Sequence, residues 1–119
     1  MKYGTSIIEQ REIILIPFPF TDLSATKKRP ALVISYTDFN KENQDILVCQ
    51  ITHNLKQRHH SIYINNNNLE NGSLAVESLI KANKIFTIDK SLIIQKICKL
   101  DSKTYLMVYD EICKLTKPI

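Results

Sequence analysis

The chain has 119 residues, 44% hydrophobic and 24% charged, which fits one ordinary globular domain with enough apolar side chain to bury a core. Its net charge of +4 and pI near 9.0 favour an acidic partner such as nucleic acid, although a charge of that size also serves plain solubility. Cys49, Cys98 and Cys113 are too widely spaced for a disulfide framework or a CxxC metal clip, and no N-terminal apolar stretch is long enough for a signal peptide or a membrane span, so a cytoplasmic protein with buried free thiols is expected.

Residues 1–10 form a short arm without a clear period. The apolar, β-branched run Ile13-Ile14-Leu15-Ile16 predicts a first strand over Glu12–Phe18. A turn-rich polar segment follows and ends in Lys27-Lys28. A second strand is predicted over Arg29–Tyr36, with Pro30 at its start, where a missing N–H is tolerated. Thr37–Gln44 reads as a polar connector in which Asp38 can cap a short turn. The third strand is Asp45–Thr52, and alternation puts Ile46, Val48, Gln50 and Thr52 on one face and Leu47, Cys49 and Ile51 on the other.

Asn54–His59 is a basic loop and Ser61–Ile64 a short strand. The asparagine run Asn65–Asn68, with Glu70-Asn71-Gly72, reads as a loop or broken helical turn. Ser78–Phe86 and Ile93–Leu100 are predicted as the fifth and sixth strands, separated by a turn at Asp89-Lys90-Ser91. Asp101 or Ser102 then caps a closing helix, whose Tyr105, Leu106, Tyr109, Ile112 and Cys113 recur at helical spacing and are expected to dock on the sheet. The sum is a mainly β fold, a small, strongly bent antiparallel sheet or barrel with one terminal helix.

If the second and third strands pair as a hairpin with Tyr36 opposite Asp45, Arg29 falls opposite Thr52. A guanidinium and a hydroxyl would then meet at one end of the sheet, flanked by Lys27 and Lys28 on one side and by His53, Lys56 and Arg58 on the other. Such a place suits a phosphodiester: arginine's fork of donors matches phosphate oxygens and opposes the charge that grows in the transition state. In RNA the neighbouring 2′-OH already supplies a nucleophile, so no metal is strictly needed. The competing reading is an arginine in a surface ion pair and a threonine serving as a strand former. His53 is a candidate general base, set against a solvated loop histidine. Phe18 and Phe20 either stack on bases or pack in the core. Adjacent His59 and His60 point apart on an extended chain and are read as surface residues rather than a metal pair.

The stretches IILIPFPFTD, KRPALVIS, QITHN and ESLIKANKIFTIDKSLIIQKICKL occur together in an order and spacing that resemble the MazF/PemK (Kid-like) toxins of bacterial toxin–antitoxin systems. The resemblance implies an SH3-like small barrel and a homodimer. It also implies an endoribonuclease that uses neither metal nor cofactor, cuts single-stranded RNA at a short sequence, and is silenced by a cognate antitoxin. It assigns the catalytic roles to Arg29 and Thr52. The family's substrate-contacting loop matches Phe18–Lys28, which makes Phe18, Phe20, Thr21, Ser24, Lys27 and Lys28 RNA-binding candidates beside Lys56 and Arg58, and a substrate-side position falls near Lys84. Arg11-Glu12 stands where many members have Gly-Asp, and the first loop lacks the usual glycines, so a sequence preference does not carry over. The same barrel also serves CcdB-type toxins, which bind DNA gyrase without nuclease chemistry; that function, or a decayed member, would need neither Arg29 nor Thr52.

Overall fold

The computed structural model describes residues 6–18 and 27–119. In chain order the elements are β1 (Glu12–Phe18), β2 (Lys27–Val33), α1 (Thr37–Glu42), β3 (Asp45–Thr52), β4 (Ser61–Ile64), β5 (Leu69–Gly72), β6 (Ser78–Asp89), β7 (Gln95–Leu100) and α2 (Ser102–Thr116). The strands form one seven-stranded sheet in the order β4-β6-β3-β2-β1-β7-β5. Every pairing in it is antiparallel.

The unbroken apolar run in β1 reflects its central place: Ile13, Ile14 and Ile16 are all buried because both faces of the sheet are covered there. Ile13, Leu32, Cys49, Ile51, Ile80 and Leu100 pack on one face with Tyr105 and Val108 of α2. Ile8, Ile14, Ile16, Ala31, Val33, Ile46, Val48 and Ile88 pack on the other. The alternation read along β3 is therefore real. The sheet bends where β3 meets β6: Cys49 pairs with Ile85 but Ile51 with Ile80, so Lys81–Lys84 of β6 stand opposite Gln50 alone.

Several elements differ from the sequence reading. β2 stops at Val33, because the N–H groups of Ile34 and Ser35 both turn to the Leu47 carbonyl, at 3.0 and 3.3 Å. The polar connector is the short helix α1, held by buried Asn40, whose Nδ2 donates to the carbonyls of Ile8 and Ser35 at 2.9 and 3.1 Å. The asparagine run forms a 3₁₀ turn over Asn66–Asn68, capped reciprocally by Asn65 and Asn68, and leads into a true strand, β5. Glu70 in β5 bonds Arg11 Nη1 at 2.9 Å, and Lys99 lies 3.8 Å from its other oxygen. Pairing with β7 thus overrides the low strand propensity of Glu, Asn and Gly.

Two residues in this region adopt left-handed backbone. Gly72 has φ 77°, and a Cβ there would lie 2.7 Å from Cys98 Cβ and 2.8 Å from both Cys98 Cα and the Ile97 carbonyl oxygen. Arg11 has φ 79° and is held by its side chain, which also donates to the Leu100 carbonyl at 2.8 Å.

The docked face of α2 is Thr104, Tyr105 and Val108, with Ile112 half-buried; Leu106, Tyr109 and Cys113 are exposed. The apolar spacing misled because a threonine occupies the buried stripe, its hydroxyl accepting from Asn68 Nδ2 at 3.1 Å. Cys113 is accordingly not a buried thiol, whereas Cys49 and Cys98 are. Among the described residues, no helix is long and apolar enough to cross a membrane.

Asp101 is the N-cap of α2, accepting from the Thr104 N–H at 2.7 Å. Hydrogen bonds from the Thr104 hydroxyl and backbone hold its carboxyl below the ordinary 3.8. A carboxylate lowered in this way stabilises the fold fully above its ordinary pKa and progressively less as pH falls through the lowered one. Asp101→Ala should cost about 1 kcal/mol at neutral pH. In a thermal-melting series the gap to wild type should shrink as pH drops below 3.8. A gap that stays constant into strong acid would rule out the charged cap.

Candidate active site on the β1–β2–β3 face

Arg29 pairs with Ile16 across the β1–β2 ladder. On its other side β2 pairs with β3 through Ala31–Gln50, Leu32–Cys49 and Val33–Val48. Continued two residues past its last pair, that register brings Arg29 level with Thr52. Alternation puts both on the face that carries Ala31, Val33 and Val48.

Arg29 is half-buried, and its guanidinium carbon lies 5.9 Å from the centroid of the Phe18 ring, which is in turn 5.8 Å from that of Phe86. A guanidinium over an aromatic face is held by the ring quadrupole while its N–H edge stays available. Among the described residues Arg29 has no carboxylate partner, nor do Lys27, Lys28, Lys56, Arg58 and Lys84. At the opposite end of β1, Arg11, Lys96 and Lys99 are all paired with glutamates. Among the described residues of the strands and of the loop after β3, cations without a carboxylate partner therefore gather at one end of the sheet.

Thr52 is buried at the end of β3, its Oγ1 accepting the Asn54 N–H at 3.1 Å. The loop beyond it is built rather than slack. Asn54 Oδ1 accepts from the Lys56 N–H at 3.1 Å. Lys81, only 4% exposed, reaches in from β6 and donates its ammonium to the carbonyls of Gln57 and His59 and to Ser61 Oγ, at 2.7, 2.9 and 3.0 Å. Burial, and then the charge of Lys84, lower the Lys81 pKa. His60, at φ 54°, ties the loop to α2 through Glu111 at 3.0 Å.

The structure thus gathers Phe18, Lys27, Arg29 and Thr52 on one face, with exposed Lys56 and Arg58 on the adjoining loop and exposed Lys84 at the sheet bend. Lys28, one residue from Arg29, belongs to the opposite face by alternation. His53 is exposed just past the end of β3. Phe20, Thr21 and Ser24 lie outside the described residues. His60 pairs with Glu111, and among the described residues no cluster of three or more His, Cys, Asp or Glu forms a site for a metal ion.

Three residues escaped the sequence reading. Lys81 and Phe86 lie within apolar stretches and pass for strand filler there. Gln50 was placed on the right face, but only as a strand residue. A polar side chain inside LVCQIT was its signal. Two cavities of about 370 Å³ each lie elsewhere, against α2: one is lined by Arg11 and Leu106, the other by Tyr36, Phe39 and Leu47, and both by Gln10, Tyr105 and Tyr109. Arg29 and Thr52 line neither of them.

A family model for PemK-like, MazF-like toxins of type II toxin–antitoxin systems matches residues 9–116. No curated protein matches the sequence significantly. Among solved structures, a chain of MazE–MazF (form III) from Deinococcus radiodurans is 17% identical, with a TM-score of 0.75 over 92% of this chain and 95% of that one. An endoribonuclease in complex with its cognate antitoxin, from a mycobacterial species, is 12% identical, with a TM-score of 0.73 over 97% and 99%. A MazF toxin of Mycobacterium tuberculosis is 16% identical, with a TM-score of 0.71 over 87% and 94%. At these identities the likeness establishes the fold, which is the small bent barrel with a C-terminal helix.

Proposed function

The chain belongs to the PemK-like, MazF-like toxins of type II toxin–antitoxin systems, and from that premise we propose that it is a metal-independent endoribonuclease acting on single-stranded RNA. The observation that carries the reading is the convergence of Arg29 and Thr52 on one face, where the guanidinium leans on Phe18 and has no carboxylate partner among the described residues.

The 2′-OH attacks the adjacent phosphorus in line. A P–O2′ bond forms and the P–O5′ bond breaks, the departing oxygen taking up a proton from solvent, to leave a 2′,3′-cyclic phosphate and a 5′-OH. Arg29 binds the non-bridging oxygens and stabilises the charge that builds on them. Thr52 orients the phosphate through its hydroxyl, whose own position is fixed by the Asn54 N–H. Lys27, Lys56, Arg58 and Lys84 attract the backbone of the strand, and Lys28 adds to the same field from the other face. Phe18 offers a ring for base stacking.

A proton must leave the 2′-OH, and an arginine is too weak a base to take it near neutral pH. His53, beside Thr52 in the chain, is the candidate, since imidazole is the side chain most often used for general-base catalysis. His53→Ala should lower kcat by about 100-fold. A variant that cleaves at the wild-type rate from about pH 5 to 8 removes His53 from this role and leaves it a loop cation.

The protein is further proposed to work in the cytoplasm as a homodimer. A cognate antitoxin, meeting the unpaired cations with acidic residues, would silence it. The deciding experiment incubates purified protein with a long single-stranded RNA in excess chelator and maps the ends. Cuts at a short motif, with 2′,3′-cyclic phosphate and 5′-OH termini, are expected. Intact RNA, or 5′-phosphate ends, would overturn the proposal.

A further inference from the structure

We propose that Gln50 is a specificity-determining residue, its carboxamide reading the edge of a nucleobase beside the cut linkage; this rests on the ribonuclease reading above. Gln50 lies on β3 two residues before Thr52, on the same face, and pairs across the ladder with Ala31, itself two residues from Arg29. At about 3.3 Å per strand residue, the amide stands within one nucleotide's reach of both groups.

Its surroundings single it out. Gln50 is half-buried, yet its side chain makes no hydrogen bond among the described residues. Buried polar side chains elsewhere are hydrogen-bonded: Asn40 with the carbonyls of Ile8 and Ser35, Thr104 with Asn68, Lys81 with three oxygens. A half-buried amide that forgoes protein partners loses stability relative to one that has them. Its strand neighbours are small or irregular: on β2 it faces an alanine, and on β6 four residues, Lys81–Lys84, depart from the ladder opposite this one position. One step along the same face, Phe86 pairs with Val48, and its ring adjoins that of Phe18. An amide without a hydrogen bond among the described residues, on the face of Arg29 and Thr52, is placed to read the edge of an unstacked base.

A carboxamide offers one acceptor and two donors, and adenine presents the complementary donor and acceptor side by side. Adenine is thus the base assigned to this position. Gln50→Glu presents acceptors only, which suits the paired N–H donors of guanine's Watson–Crick edge.

The test maps cleavage sites on one long RNA for wild type, Gln50→Glu and Gln50→Leu, with melting curves for each. Wild type should show one motif position enriched in adenine. Gln50→Leu should lose roughly 10–100-fold of that discrimination. Gln50→Glu should move the preference toward guanine, and both should keep the wild-type preference at the remaining positions. If either variant fails to fold, Gln50→Asn, which keeps the amide and withdraws it by one methylene, should weaken the same position alone. Unchanged base frequencies in a folded variant overturn this assignment while leaving the ribonuclease reading intact. RNA left uncut by wild type overturns that reading first and this one with it.

Discussion

Arg29→Ala should cut RNA at least about 100–1000-fold more slowly than wild type, the loss typical when one preorganised oxyanion-stabilising group is removed. The fold should survive, because the described contacts of this side chain come down to its stacking over Phe18, an interaction worth about 0.5–1 kcal/mol at a partly exposed site. Arg29→Lys keeps the charge and loses the planar fork, so it should recover only part of the rate. Thr52→Ala should also lower kcat, but it frees the Asn54 N–H as well, so some loss of loop order should accompany it. Single-turnover cleavage at saturating protein, with melting curves beside it, separates these effects. A folded Arg29→Ala protein that cleaves within about threefold of wild type would remove the electrostatic basis of the mechanism.

Gly72→Ala should be the most damaging single methyl addition on β5. The new Cβ would sit 2.7–2.8 Å from atoms of Cys98 and Ile97, two of the three being backbone, and φ 77° is unfavourable for any L side chain. Overpacking of this kind costs about 1–3 kcal/mol and left-handed backbone about 1–2 more. The midpoint of thermal unfolding should fall by about 10 °C or more. A Gly72→Ala protein melting within a degree or two of wild type would mean that β5 gives way without cost.

How much of this was visible in the sequence depends on where each signal resides. β1, β3 and β4 were read to the residue, since their apolar runs end in turn-formers or polar residues, and the β2–β3 register followed from counting along two consecutive strands. β5 was missed because its stability lies in β7 and Arg11, which lie far away in the chain. The docking face of α2 was misplaced because hydropathy cannot show that a threonine hydroxyl will find Asn68. At the site, Arg29 and Thr52 stood out as polar residues at strand ends. Lys81 passes for strand filler in the sequence, and only the fold reveals the three oxygens it meets.

That buried ammonium has a consequence for when the site comes into being. The basic loop after Thr52 takes its shape from a residue placed 24 positions beyond Gln57 and 22 beyond His59. A nascent chain that has already exposed Arg29 and Thr52 to solvent therefore holds them beside an unformed loop. The working surface closes only once β6 has left the ribosome and laid itself against β3.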